Sequence, residues 1–127
     1  ILGKRGRHFI CEGYATGLSV LRVMEKLKMN CQIHVAFSAS NILELSKNLD
    51  CIIIADHDET GLRIARLSKK KYWASAIVGE DFNDAERRLG VDALALEFEA
   101  FLKPQGKYQK AVLDFLRQLK DKPVRVP

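Results

Sequence analysis

Cysteine is scarce in this chain and unpaired in pattern: Cys11, Cys31 and Cys51 lie twenty positions apart, with no Cys-x-x-Cys and no neighbouring His pair. That spacing excludes a clustered zinc site, and an odd number of scattered cysteines argues against a disulfide framework. Each sits in or beside an apolar run and is expected to be a reduced core residue. The interval matches the length of one strand–helix unit. Long apolar stretches are also missing, and no charged start leads into an apolar segment like that of a signal peptide, so a soluble, cytoplasmic protein without membrane contact is expected. No internal repeat or low-complexity tract is visible. With 127 residues, 47% of them hydrophobic and 29% charged, the chain suits one globular domain. It opens on Ile1 and the basic run GKRGRH, as a piece cut from a longer protein would.

Hydrophobic periodicity predicts alternating strands and helices. HFIC (8–11) reads as a first strand, followed by a helix in which Leu18, Leu21, Val23, Met24 and Leu27 recur at helical spacing. CQIHVAF (31–37) alternates as a strand, and Ser40 or Asn41 is placed to cap the helix NILELSKNL. CIIIA has no polar face, which suits a strand buried on both sides in a parallel sheet. A helix over about 59–70 with Leu62, Ile64, Ala65 and Leu67 inward, a fourth strand WASAIVG and a helical turn DFNDAERRL come next. The remainder, to Lys122, reads as amphipathic helix broken near Pro104. The fold class is therefore α/β: a central four-stranded, mainly parallel sheet flanked by helices, with extra C-terminal helices. One domain is expected over 1–122, with a core at 8–89, a helical extension at 92–122 and a tail at 123–127.

In open α/β sheets ligands bind beyond the carboxyl ends of the strands. Glu12 follows the first strand, Asp56 and Asp58 the third, and the acidic GEDFND (79–84) the fourth. Crowded like charges repel by about 1 kcal/mol per pair even in water, so such a cluster calls for a cation. Mg²⁺, with Mn²⁺ as an alternative, suits one or two carboxylates, several waters and substrate phosphates. Such half-filled sites serve phosphoryl and nucleotidyl transfer.

The ordered series ICEGYATG, IIIADHDETG and GEDFND resembles the Toprim domain of topoisomerases and primases, most closely that of phage and plasmid DNA primases. The likeness spans His8 to Leu89, about two thirds of the chain. It implies a Rossmann-like Toprim fold, with Glu12 as the catalytic acid/base and Asp56 and Asp58 as metal ligands. It further implies that Gly13 permits a tight turn after the first strand and that Gly61 lets the following helix pack close. The third motif departs from the pattern, because Glu80 stands where lysine is usual. Asp81 takes the acidic position there, and Asn83 and Asp84 are further candidate metal or water ligands. The activity implied is synthesis of RNA primers on single-stranded DNA from nucleotides, within a longer replication protein.

Each residue also has a plainer reading. Glu12 and Glu59 would be favourable at helix N-termini, and Asp56 or Asp58 could be an N-cap, although only one cap is needed. Alternation along the loop turns His57 away from both aspartates. IIIADHDET also fits the Asp-x-Asp-x-Thr signature of haloacid-dehalogenase-type phosphatases. The stretch from Asp58 to Asp81 is too short for the strand and lysine that those enzymes need, and Glu12 would have no role. A topoisomerase would need a nucleophilic tyrosine, and Tyr14, Tyr72 and Tyr108 have no distinctive setting. A Toprim nuclease and a non-catalytic nucleic-acid-binding module remain as alternatives.

The net charge of +5, from 21 Lys+Arg against 16 Asp+Glu, places positive charge away from the acids. It concentrates at Lys4, Arg5, Arg7, Arg63, Arg66, Lys69 to Lys71, Arg87 and Arg88. Such patches hold phosphate backbones without reading sequence. Arg63, Arg66, Lys69, Lys70 and Arg87, with Gly13, are the candidate nucleic-acid or nucleotide contacts; Tyr72 and Trp73 are expected to pack at the fourth strand. The run of lysines alone would equally suit a solvated helix end.

Overall fold

The computed structural model describes residues 1–104 and Phe115. The elements run in the order β1 (Arg7–Cys11), α1 (Tyr14–Lys26), β2 (Cys31–Val35), α2 (Ala39–Ser46), β3 (Cys51–Ile54), α3 (Glu59–Ser68), β4 (Tyr72–Trp73), α4 (Phe82–Leu89) and α5 (Val91–Leu102). All neighbouring strands are parallel, in the order β2-β1-β3-β4. The α/β class, the parallel sheet and its helical flanks are as the sequence predicts. The expected helix beyond Pro104 and the tail lie outside the described residues, apart from Phe115.

Alternation along the strands divides the core between the two faces of the sheet. Phe9 and Cys11 of β1 with Ile52 and Ile54 of β3 face α1, α4 and α5, where Phe82 and Phe98 are fully buried. Ile10 and Ile53 face the other way, onto Ile42 of α2 and Ile64 and Ala65 of α3. β3 is therefore buried along its whole length, which its unbroken CIII sequence requires. Phe82, the first residue of α4, meets Trp73 edge-on at 4.8 Å and Phe98 at 5.3 Å between ring centroids. Truncating a ring so placed typically costs about 3–5 kcal/mol. Its burial fixes the start of α4, and Asp81 with it, at the carboxyl edge of the sheet.

Several local expectations are corrected. The fourth strand is only Tyr72–Trp73, where WASAIVG promised seven residues. Ser75 withdraws the chain from the sheet: its hydroxyl accepts from the Ile77 N–H (3.0 Å) and donates to Glu80 (2.7 Å). Such local bonding outcompetes a ladder on an edge strand with no further partner. Ile77 and Val78 are exposed as a result. Ser38, not Ser40 or Asn41, caps α2 by accepting from the Asn41 N–H at 3.2 Å. Leu67 points outward from α3 and is 58% exposed. The second strand ends at Val35, with Phe37 turned to φ 65. As expected, the three cysteines are free and buried, Trp73 is buried and Tyr72 half-buried. The apolar face of α5 finds its partner within this domain, against α1 and α4. Among the described residues, no helix is long and apolar enough to cross a membrane.

Candidate metal centre at the carboxyl edge

The connections leaving β1 and β3 diverge, one toward β2 and the other toward β4, so the gap between these two strands is the topological switch point of the sheet. Glu12 leaves β1 on one side of the gap, while Asp56 and Asp58 leave β3 on the other. The Phe37 N–H donates to the Glu12 carbonyl (2.8 Å) and the Ala55 N–H to the Trp73 carbonyl (2.8 Å), which carries the parallel pairing up to this rim.

Asp56 is the electrostatic centre of the site. Burial first, then the charges of Asp81, Glu12, Asp58 and Asp84, push its carboxyl up from 3.8 to about 6. Four carboxylates from three segments therefore act on one half-buried fifth. The five ion pairs of the described residues use Glu44, Glu80, Glu86, Asp92 and Glu99, and none reaches Glu12, Asp56, Asp58, Asp81 or Asp84. In a chain with 21 Lys+Arg, the described residues supply no cation to this pocket of negative charge. Beneath it, burial and then Asp56 push the Cys11 thiol up to about 12, so the thiol stays protonated.

The surrounding acids hold separate local positions. Asp58 caps α3, accepting from the Gly61 N–H at 2.6 Å through Oδ1. Asp81 and Asp84 form a reciprocal capping box on α4: Asp84 N–H to Asp81 Oδ1 at 2.7 Å, and Asp81 N–H to Asp84 Oδ2 at 3.0 Å. The capping reading thus holds for one oxygen of Asp58, and Asp81 and Asp84 each commit one oxygen in the same way. These bonds also fix the direction of each carboxylate. Asp56 is not a cap. Asn83 is turned aside, its Oδ1 accepting from Ser19 of α1 at 2.8 Å, and is withdrawn as a ligand candidate.

Two glycines behave differently from one another. A Cβ on Gly61 would stand 2.5 Å from the Asp56 carbonyl oxygen and 3.0 Å from Asp58 Oδ1, so only glycine fits where α3 returns over its own loop. Gly13, at φ −103 and ψ 151, needs no special conformation, and a Cβ there would meet nothing within 4 Å. The tight-turn role expected of Gly13 is therefore corrected.

Glu80, legible in the sequence only as a missing lysine, braces the site. It accepts from Arg88 Nε (2.9 Å) and Nη2 (2.8 Å) and from the Ser75 hydroxyl (2.7 Å). The Arg88 guanidinium, then Ser75, hold its carboxyl below the usual range. Its backbone carbonyl accepts from the His57 N–H (3.2 Å), the Gly79 N–H donates to the His57 carbonyl (2.7 Å), and His57 Nδ1 donates to the Ser75 carbonyl (2.6 Å). His57 thus clamps the aspartate loop to the 75–80 loop and points away from the acids, as alternation requires. Arg22 adds a second strut from α1 to Glu86 of α4, at 2.7 Å.

The basic candidates divide by position. Arg63 and Arg66 are exposed on α3, which starts at the acidic rim, and Arg87 is exposed on α4, which starts there too. Lys69 and Lys70 lie past the far end of α3, roughly 15 Å away along a ten-residue helix. They line a cleft at the amino edge with Arg7 and His8, and so cannot serve the acidic site directly.

An ion here would be held by Asp56 and Asp58, with Glu12 across the gap. Among the described residues, no three His, Cys, Asp or Glu side chains are grouped closely enough to enclose a metal by themselves. Hard oxygen donors that fill only part of a coordination shell fit Mg²⁺, which keeps its waters and takes phosphate oxygens. No family model, curated protein or solved structure matches this chain.

Proposed function

We propose that this chain is a Mg²⁺-dependent nucleotidyl-transfer domain of Toprim type, the catalytic domain of a DNA primase that works in the cytoplasm as part of a longer replication protein. The observation that carries this reading is Asp56 at the switch point, ringed by four carboxylates with no cation supplied by the described residues. The sequence resemblance supplies the reaction. Bound Mg²⁺, or Mn²⁺ in its place, would neutralise phosphate charge and favour ionisation of an attacking hydroxyl.

The chain's own residues have these roles. Asp56 and Asp58 hold the ion, the first from a half-buried position and the second with its orientation fixed by the α3 cap. Glu12 accepts the proton of the attacking 3'-hydroxyl of the growing primer. Asp81 and Asp84 keep the rim negative, so that a divalent ion is favoured over none. Arg63 and Arg87, leading away from the rim, supply positive charge for the nucleotide phosphates or the template strand.

Incubation with single-stranded DNA, ribonucleotides and Mg²⁺ tests the reading. Short RNA products that vanish in Asp56→Asn support it. Shortened DNA would assign a nuclease instead, and binding without either product would leave a nucleic-acid-binding module.

A further inference from the structure

The amino edge of the sheet carries an open cleft of about 770 Å³ lined by Gly6, Arg7, His8, Asp50 to Ile52 and Lys69 to Lys71. Lys70 and Lys71 also line a second groove, of about 550 Å³, with Leu62 of α3, Tyr72 to Ala74 at β4 and Phe101 of α5. The two cavities adjoin at Lys70 and Lys71, which line both, and form one basic channel along the β4 edge.

Positive charge is concentrated in the channel beyond what the fold needs. Lysines just past a helix C-terminus are favourable there, which accounts for one or two of them. It does not account for Arg7, brought in from β1 so close to Lys71 that, after burial, its charge is what lowers the Lys71 pKa. Lys71 has an internal role, donating to the Phe101 carbonyl and lying over the Phe101 ring at 4.5 Å. Arg7, Lys69 and Lys70 have no ion-pair partner among the described residues. Among those residues, Asp50 is the one acid lining the cleft. Tyr72, half-buried beside Lys70, presents an aromatic surface in a channel otherwise suited to phosphates.

We infer that this channel is a second, metal-independent site that holds the phosphate backbone of a single nucleic-acid strand, with Arg7, Lys69 and Lys70 on the phosphates and Tyr72 against a base. Charged grooves interleaved with aromatic side chains bind single strands in this way, without reading sequence. Choosing a nucleic acid as the polyanion rests on the function proposed above. The channel itself stands on its own lining and would bind with the acidic rim empty.

Binding of a labelled single-stranded DNA oligonucleotide to the full chain, in the presence of a chelator and across a salt series, tests this. Arg7→Gln/Lys70→Gln should weaken binding on the order of tenfold or more at low salt. It should also make the dependence of log K on log salt shallower by about 1.4, because two phosphates are no longer neutralised, at roughly 0.7 each. Lys26→Gln/Lys28→Gln, on the opposite helical layer, removes the same charge and should change affinity far less. Unchanged affinity and slope in the first variant, or equal losses in both, would overturn the channel. So would binding competed away by a free nucleoside triphosphate at equal phosphate concentration. Unchanged circular dichroism and melting establish that each variant folds, and Arg7→Gln alone, at the exposed start of β1, gives the same test with half the change in slope. Because magnesium is absent, a failure of the acidic site leaves this result intact.

Discussion

Gly61 and Asp56 touch through their backbones: a Cβ on Gly61 would stand 2.5 Å from the Asp56 carbonyl oxygen. The helix that Asp58 caps therefore folds directly back over the loop that presents Asp56. Gly61→Ala must displace that carbonyl or the first turn of α3, at a cost of about 1–3 kcal/mol. A lower melting temperature and weaker Mg²⁺ binding are expected. Gly13→Ala, at an ordinary φ with open space around it, should change stability by less than about 1 kcal/mol. Thermal melting of the two variants side by side checks the contrast.

Asp56 gives a pH signature. Its carboxyl titrates at about 6 in the folded protein against 3.8 unfolded, so the folded state binds the proton more tightly. The stabilisation this confers is complete below pH 3.8 and is lost as pH rises through 6. After allowance for solvent screening the loss is on the order of 1–2 kcal/mol. In chelator, Asp56→Asn should therefore melt higher than the parent at pH 7, and the difference should shrink as pH falls toward 4. Magnesium should raise the melting temperature of the parent at pH 7 and leave that of Asp56→Asn unchanged. A parent protein with the larger stability at pH 7 in chelator would contradict this account of the site.

Glu80 and Arg88 form the brace behind the aspartate loop, and neither faces the acidic rim. Arg88→Met removes the guanidinium that lowers the Glu80 pKa and leaves that carboxyl with Ser75 alone. Because Glu80 is held below its ordinary value, the stability the pair confers is present above the unfolded carboxyl pKa and lost as pH falls through the folded one. Arg88→Met should accordingly lower the melting temperature at pH 7 and have a smaller effect in acid. It should also weaken Mg²⁺ binding by loosening the loop that His57 clamps. Calorimetric titration and melting across pH read both effects.

The sequence disclosed the parts of this site that are strictly local. CIII with no polar face could only be a doubly buried strand, and carboxylates following β1 and β3 had to emerge at one edge of a parallel sheet. The close approach at Gly61 was implied only by the resemblance, and the structure shows it directly. The Glu80–Arg88–Ser75–His57 brace was not, because it joins two loops and a helix through tertiary contacts with no fixed spacing. WASAIVG misled for a related reason: β propensity in Ile77 and Val78 counted for less than the turn that Ser75 closes. Lys69 and Lys70, candidate nucleic-acid contacts in the sequence, are carried by the length of α3 to the edge opposite the acids, a distance that residue spacing alone does not display. The spareness of Gly13 is likewise visible only from its backbone angles and empty surroundings.

Calorimetric titration of Mg²⁺ into the parent chain and into Asp56→Asn, at pH above 7, tests the central claim most directly. Saturable binding in the parent that disappears in a folded Asp56→Asn is the expected result. An absence of binding in the parent, or equal binding in both proteins, would mean that the five carboxylates at the carboxyl edge do not gather around a divalent ion.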